Sequence, residues 1–177
     1  MKPWRKLASK SIVDDRWINL RADTCELPNG QVIARYYVLE EPEWVHVFAQ
    51  DADGKILVVR QYRYAANVVC TELPAGVVNS WESVLKAAKR ELLEETGYVA
   101  SSWTLAGKYY ANPARQTNSI HLFIARGLQR QADKTLDASE DIIESFAHPS
   151  EVKAMIASGE FSQSLHIASF YMALDRG

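Results

Sequence analysis

Glu91, Glu94 and Glu95 crowd into eight residues of this chain, Arg90-Glu-Leu-Leu-Glu-Glu-Thr-Gly97, and their spacing bears on what they can do. The residues before them carry a helical pattern, with Val84, Leu85, Ala88 and Leu92 forming an apolar stripe and Lys86 and Lys89, with Glu82, expected to point away from it. At about 100° per residue, Glu91 and Glu95 lie roughly 40° apart, and Glu94 lies roughly 60° to the other side of Glu91. Three carboxylates on one face repel one another, and the partial negative charge of a helix C-terminus adds to that cost. Arg90, four residues before Glu94, offsets one charge and can fix the carboxylates in place. A hard divalent ion, Mg²⁺ or Mn²⁺, fits the remaining deficit, because such ions take carboxylate oxygens while keeping waters and substrate phosphates as further ligands. The competing reading is a solvated acidic helix end.

The helix needs ends and a neighbour. Ser80 is the expected N-cap and Gly97 the expected C-terminal stop, which bounds about four turns. Ahead of it, Glu72-Leu-Pro-Ala-Gly76 reads as a strand end and a tight loop, in which Gly76 lets backbone approach a metal or a phosphate.

From Gly76 to Gly97 the fixed residues also match a known signature: Gly, five residues, Glu82, seven residues, Arg90-Glu91, an aliphatic, any residue, Glu94-Glu95, any residue, Gly97. The segment resembles the signature of the Nudix hydrolases, departing from it only at the final aliphatic position, where Tyr98 stands. The resemblance implies an α/β/α sandwich with a mixed sheet and hydrolysis of a nucleoside diphosphate linked to another moiety. By resemblance Glu91, Glu94 and Glu95 and the carbonyl of Ala75 ligate metal, Glu94 orients or deprotonates water, and Arg90 holds the carboxylates. Dimeric relatives take their general base from a loop well downstream. The matching stretch is Asp137 to Glu144, with Glu140 the first choice and Asp141 or Glu144 the alternatives.

The rest of the chain frames this site. It has 177 residues, 47% hydrophobic and 24% charged, with a net charge of −2, as expected of a soluble protein able to bury a sizeable core. That balance argues against a dedicated nucleic-acid binder, which usually carries a basic stripe. No apolar run approaches a membrane span, and Met1-Lys-Pro-Trp-Arg-Lys lacks the apolar core of a signal peptide, so the expected location is the cytoplasm. Cys25 and Cys70 are too few and unpatterned for a metal site or disulfide framework and read as reduced thiols.

Strand signals dominate the first part: Leu7 to Val13, Trp17 to Glu26 and Gln31 to Leu39, the last two joined by a turn at Pro28-Asn29-Gly30. Further strands are expected at Val45 to Gln50, Lys55 to Tyr62, Tyr109 to Ala111, His121 to Ala125 and Ile142 to Phe146, with helices at Ser150 to Ser158 and Gln163 to Leu174. A catalytic helix among strands, with helices at the end, implies a layered α/β fold. The expected division is residues 1–42 as an antiparallel β extension and 43–177 as the hydrolase domain.

That extension resembles the one found in ADP-ribose pyrophosphatase-type Nudix proteins, where it forms much of a homodimer interface. The resemblance implies a homodimer and a nucleotide-sugar substrate such as ADP-ribose. Members cleaving ADP-ribose carry a proline about sixteen residues after the last motif glycine, and Pro113 stands sixteen after Gly97; the subgroup's Pro-Gly with a nearby acid is replaced here by Pro113-Ala-Arg-Gln-Thr-Asn118. Arg63 resembles a position that contacts the substrate diphosphate, a task its bidentate fork suits, with pairing to a surface carboxylate as the competing role. Trp17 and Tyr36 match aromatics that stack on the base in relatives, although aromatics in strands are more often core. His46, His121, His148 and His166 share no metal-binding spacing and read as structural. Dinucleotide polyphosphates, nucleoside triphosphates or capped RNA ends as substrates stay open, as does a catalytically silent sensing module.

Overall fold

The computed structural model describes residues 1–136 and 141–176. Among the described residues the chain forms ten strands and three helices. They fall into two compact units, Met1–Pro42 with Tyr110–Ser119, and Glu43–Tyr109 with Ile120–Gly177.

The first unit is a three-stranded antiparallel sheet, β1 (Arg5–Asp14), β2 (Asn19–Glu26) and β3 (Val32–Leu39), in that order. Gly30, at φ 84°, makes the turn between β2 and β3, and the Asn29 side chain accepts the Gln31 N–H at 3.0 Å. The central strand buries Ala22, Asp23 and Cys25, whereas β1 is exposed along its whole length. Burial alone would raise the pKa of Asp23, but the Ser9 hydroxyl at 2.6 Å and the Arg21 guanidinium at 3.1 Å hold it below its usual value. Residues 110–119 lie against β3: the Tyr36 hydroxyl donates to the Ala114 carbonyl at 2.5 Å, and Leu39 bridges to Gln116.

The second unit holds a seven-stranded mixed sheet. Its strands are β4 (Trp44–Gln50), β5 (Ile56–Arg63), β6 (Val68–Glu72), β7 (Ala75–Val77), β8 (Tyr98–Tyr110), β9 (Ser119–Arg130) and β10 (Ile143–Ala147). The order is β10-β5-β4-β9-β8, with β6 paired to β5 and β7 to β4; β4 and β9 run parallel, while β5 is antiparallel to each of its partners. The period of two along β4 sorts its side chains between two cores. Val45, Val47 and Ala49 meet Ala87, Ala88 and Leu92 of α1 (Val84–Thr96) on one face. Phe48, with Leu122 and Ile124 of β9, meets Val152 of α2 (Pro149–Ser158) and Phe170 of α3 (Ser164–Leu174) on the other. The result is a helix–sheet–helix sandwich, as the layered pattern implied.

Three expectations need correcting. The strand expected at Tyr109 to Ala111 begins at Tyr98, directly after the helix; β8 ends the strand order, so it accepts the serines and threonine that weaken its apolar signal. The strand end expected at Glu72 closes β6, whose start at Val68 went unread, and the tight loop expected after it carries β7, a strand of only three residues. Trp17 lies outside β2, in a turn where the Asp15 carboxylate accepts the Trp17 and Ile18 amides at 2.7 and 2.9 Å.

Candidate active site

The acidic helix begins later than its sequence suggested. Ser83, not Ser80, is the N-cap of α1, its hydroxyl accepting the Lys86 N–H at 3.3 Å. The preceding residues are already used: Glu82 Oε1 accepts both the Asn79 amide at 3.1 Å and the Asn79 side chain at 2.9 Å. At the other end Gly97 adopts φ 75° and donates its N–H to the Leu93 carbonyl at 2.8 Å, which stops the helix as expected.

Arg90 organises the charges. Its Nε and Nη2 donate to the two oxygens of Glu82 at 3.2 and 2.7 Å, and Nη2 also reaches the Val77 carbonyl at 2.9 Å. Its Nη1 donates to Glu91 at 2.8 Å and to Glu94 at 2.9 Å. Glu82 therefore does not point away from the helix; its side chain is 2% exposed and turned back onto Arg90. The hydrogen bond from Arg90 holds the Glu82 carboxyl below its usual pKa, and Glu82 in turn raises that of Arg90. A fork with five donors satisfies this set, which a point charge could not.

Two carboxylates lie against the β7 edge. Glu95, buried, accepts the Ala75 N–H at 3.0 Å. Glu91 occupies the space beside Gly76 that a side chain would fill. The turn leading there is held by the Val47 N–H, which donates to the Pro74 carbonyl at 2.8 Å. The structure thus brings Ala75, Gly76, Arg90, Glu91, Glu94 and Glu95 together within the second unit.

Among the described residues no three acidic, histidine or cysteine side chains already stand in a ligating arrangement, since Arg90 draws Glu91 and Glu94 and the Ala75 amide engages Glu95. The donor chemistry nonetheless suits a hard divalent cation: carboxylate oxygens meet partly buried backbone at a glycine whose missing Cβ leaves a cradle.

Arg63 is paired rather than open. Its Nε and Nη2 donate to Glu72 at 3.0 and 2.5 Å, and that fully buried carboxylate also receives Gln61 at 3.4 Å. The Glu72 hydrogen bond raises the pKa of Arg63, whose side chain is still 46% exposed. Trp17, 78% exposed with the Arg16 guanidinium 4.0 Å over its ring, Tyr36, half-buried, and Pro113, exposed, all belong to the first unit. Of the base candidates, Glu140 lies outside the described residues. Asp141 is exposed. Burial would raise the Glu144 pKa, but Lys134 at 2.7 Å and Arg130 at 3.9 Å hold it down.

Sequence reasoning missed Glu72 as the partner of Arg63 and His166 beside it. The available signal was a glutamate closing the apolar run Val68-Val-Cys-Thr71, where a buried charge requires a cation.

With this geometry in place, comparison with known proteins decides the family: the NUDIX domain profile matches residues 42–165. The chain belongs to the Nudix hydrolase family. Residues 4–39 match the nucleoside diphosphate sugar hydrolase N-terminal domain, which places this Nudix protein in the ADP-ribose pyrophosphatase and nucleoside diphosphate sugar hydrolase subgroup. It is similar to ADP-ribose pyrophosphatase of Bacillus subtilis (strain 168), 34% identical over 137 residues covering 77% of this chain and 74% of that one. It is also similar to GDP-mannose pyrophosphatase of Salmonella paratyphi B, 30% identical over 129 residues covering 67% of each. The crystal structure of an ADP compounds hydrolase shares the fold with a TM-score of 0.86 at 18% identity, covering 99% of this chain and 94% of that one. This Nudix chain is a pyrophosphatase, a hydrolase of phosphoric anhydrides, and Nudix hydrolases generally use a divalent metal. Among the described residues no helix is long and apolar enough to cross a membrane.

Proposed function

We infer that this chain hydrolyses the diphosphate linkage of ADP-ribose or a related nucleoside diphosphate sugar, giving a nucleoside monophosphate and a sugar phosphate, with Mg²⁺ as the ion and Mn²⁺ as its substitute. The observation that carries this reading is the meeting of Glu91 and Glu95 with the Ala75–Gly76 backbone, beside an Arg90 that holds Glu82, Glu91 and Glu94. The named relatives, two pyrophosphatases acting on nucleotide sugars, support the substrate class.

Glu91, Glu94, Glu95 and the Ala75 carbonyl would hold the cation, which when bound offsets charge on the phosphate oxygens and lowers the pKa of water. Arg90 keeps the carboxylates on one face and limits their repulsion before the ion arrives. Arg63, oriented by Glu72, offers its exposed side to the substrate diphosphate. Glu140 takes the proton from the attacking water as general base, and must come within hydrogen-bond reach of it. Glu94 orients that water. Asp141 is the next choice for the base, ahead of Glu144, which is committed to Lys134.

The extension, residues 1–42, serves dimerisation and base binding, with Trp17 and Tyr36 as stacking surfaces and Pro113 as a further substrate contact. Support comes from Leu7, Ile12, Val32 and Tyr37, large apolar residues left exposed on a three-stranded sheet, and from Trp4 and Trp17, exposed just outside its strands. The protein is expected in the cytoplasm. A screen of ADP-ribose, other nucleoside diphosphate sugars, dinucleotide polyphosphates, nucleoside triphosphates and capped RNA, with Mg²⁺ and product identification, tests the reading. Preferred cleavage of a compound outside the diphosphate sugars would overturn it.

A further inference from the structure

A buried polar column lies behind the turn that carries Ala75 and Gly76. His166 on α3 and His46 on β4 are both buried and stack with ring centroids 4.0 Å apart at 19°. The Leu73 N–H donates to His166 Nδ1 at 3.2 Å. A backbone amide can only donate, so Nδ1 carries the lone pair and the ring proton sits on Nε2, which faces the Glu72 carboxylate at 3.5 Å. The far ring is anchored in turn, His46 Nδ1 meeting the Ser169 hydroxyl at 2.9 Å. Burial keeps both imidazoles neutral, lowering the pKa of His166 to about 3 and that of His46 well below its usual value.

Three consecutive residues are therefore pinned from different elements: Leu73 by His166 of α3, the Pro74 carbonyl by Val47 of β4, and the Ala75 amide by Glu95 of α1. A core filler would need none of this directionality. Leu or Phe fills volume better than a desolvated imidazole, and a buried amide left without an acceptor carries a penalty that a short turn transmits to its neighbours. We propose that neutral His166 is a positioning residue: its Nδ1 fixes the Leu73 amide and, through Pro74 and Ala75, the place where Glu95 and Glu91 meet the β7 edge. This rests on the site reading above, which makes Ala75 and the two glutamates the working groups. The same ring, through Nε2 and Glu72, adjoins the carboxylate that orients Arg63, so one α3 side chain serves both walls of the site.

Two near-isosteric substitutions separate positioning from filling. In His166→Asn the amide oxygen stands near the place of Nδ1 and can still accept from Leu73; in His166→Gln it stands near the place of Nε2 and cannot. Amide hydrogen exchange is read in the metal-free protein at Leu73, Ala75 and, as a core reference, Val58, alongside kcat and KM. The expected result is that His166→Asn keeps Ala75 exchange within about threefold of wild type, while His166→Gln speeds it roughly tenfold or more with Val58 unchanged. Turnover should follow, with kcat lower by about tenfold in His166→Gln, KM largely kept, and Asn restoring most of the loss. Equal behaviour of the two variants at Ala75, or changes only in step with Val58, would overturn the proposal. Should neither variant fold, ¹⁵N spectra of the wild-type imidazole decide, since a proton on Nδ1 of His166 contradicts it. If wild type cleaves no diphosphate sugar yet Ala75 responds as expected, the site reading falls and the positioning role stands.

Discussion

Glu91 packs its carboxylate into the space that Gly76 leaves by having no side chain: a Cβ built there would lie within 3.0 Å of the carboxyl carbon and of both oxygens. Glycine at this point is thus needed for close approach, not for an unusual backbone angle, since Gly76 is absent from the positive-φ residues. Gly76→Ala should push Glu91 away from β7 and lower kcat by roughly 10²-fold or more, as misplacement of a site group by about 1 Å does. The chain should still fold, because Glu91 sits at the edge of the core. Circular dichroism with turnover measures both, and an alanine variant with wild-type turnover would remove Glu91's position from the account.

Arg90 of α1 and Glu82, just before the N-cap, form an ion pair with two hydrogen bonds. Arg90→Lys keeps the charge and loses the fork, leaving Glu82 poorly served in a buried place, so stability should fall by roughly 2–4 kcal/mol and kcat/KM by about 10²-fold. Denaturant unfolding and steady-state kinetics check this. The pH dependence has a definite sign: Glu82's folded pKa is lowered from its ordinary 4.5. Its stabilisation is therefore complete above about pH 4.5 and is lost as pH falls through the lower folded value. Glu82→Gln should be less stable than wild type at neutral pH, with the difference shrinking in acid.

The proposed downstream base can be separated by experiment from the proposed metal ligands. Glu140→Gln should lower kcat by roughly 10²- to 10⁴-fold with little change in the Mg²⁺ concentration giving half-maximal activity, because moving a proton is a transition-state task. Glu144→Gln should cost stability through its lost pairing with Lys134 more than it costs kcat. A large loss in Asp141→Asn, with Glu140→Gln active, transfers the role to Asp141.

Most of the candidate cluster was legible because its residues are local in sequence. Glu91, Glu94, Glu95 and Arg90 share one helix, and helical periodicity alone puts them on one face. The helix start was not legible: Ser80 and Ser83 are both good N-caps, and the choice was made by Glu82 folding back to Arg90 and Asn79, a contact no pattern of single residues displays. The same holds for Glu72, whose partners Arg63, Gln61 and His166 come from β5 and α3. The sheet followed the same division. The apolar runs of β4 and β5 read plainly, whereas β7 exists only because β4 is there to pair it.

The extension makes a separate prediction. Its β1 is exposed throughout, and a sheet of three strands needs a cover for its apolar residues. The protein should sediment as a homodimer at micromolar concentration, and removal of residues 1–39 should give poorly soluble or monomeric protein with weakened substrate binding. A fully active monomer would refute the proposed interface.

Glu95, held by the Ala75 amide, is the proposed working member of a divalent-metal pyrophosphatase site on which the other assignments depend. The most direct measurement is Mg²⁺-dependent hydrolysis of ADP-ribose by wild type and Glu95→Gln, with AMP and ribose 5-phosphate quantified and folding checked by thermal melting. Wild-type turnover should stop on chelation, Glu95→Gln should lose roughly 10³-fold or more in kcat, and the metal-free mutant should melt at or above the wild-type temperature, because a charge is removed from the acidic face. Near-normal Mg²⁺-dependent turnover in a folded Glu95→Gln protein would contradict this role for Glu95.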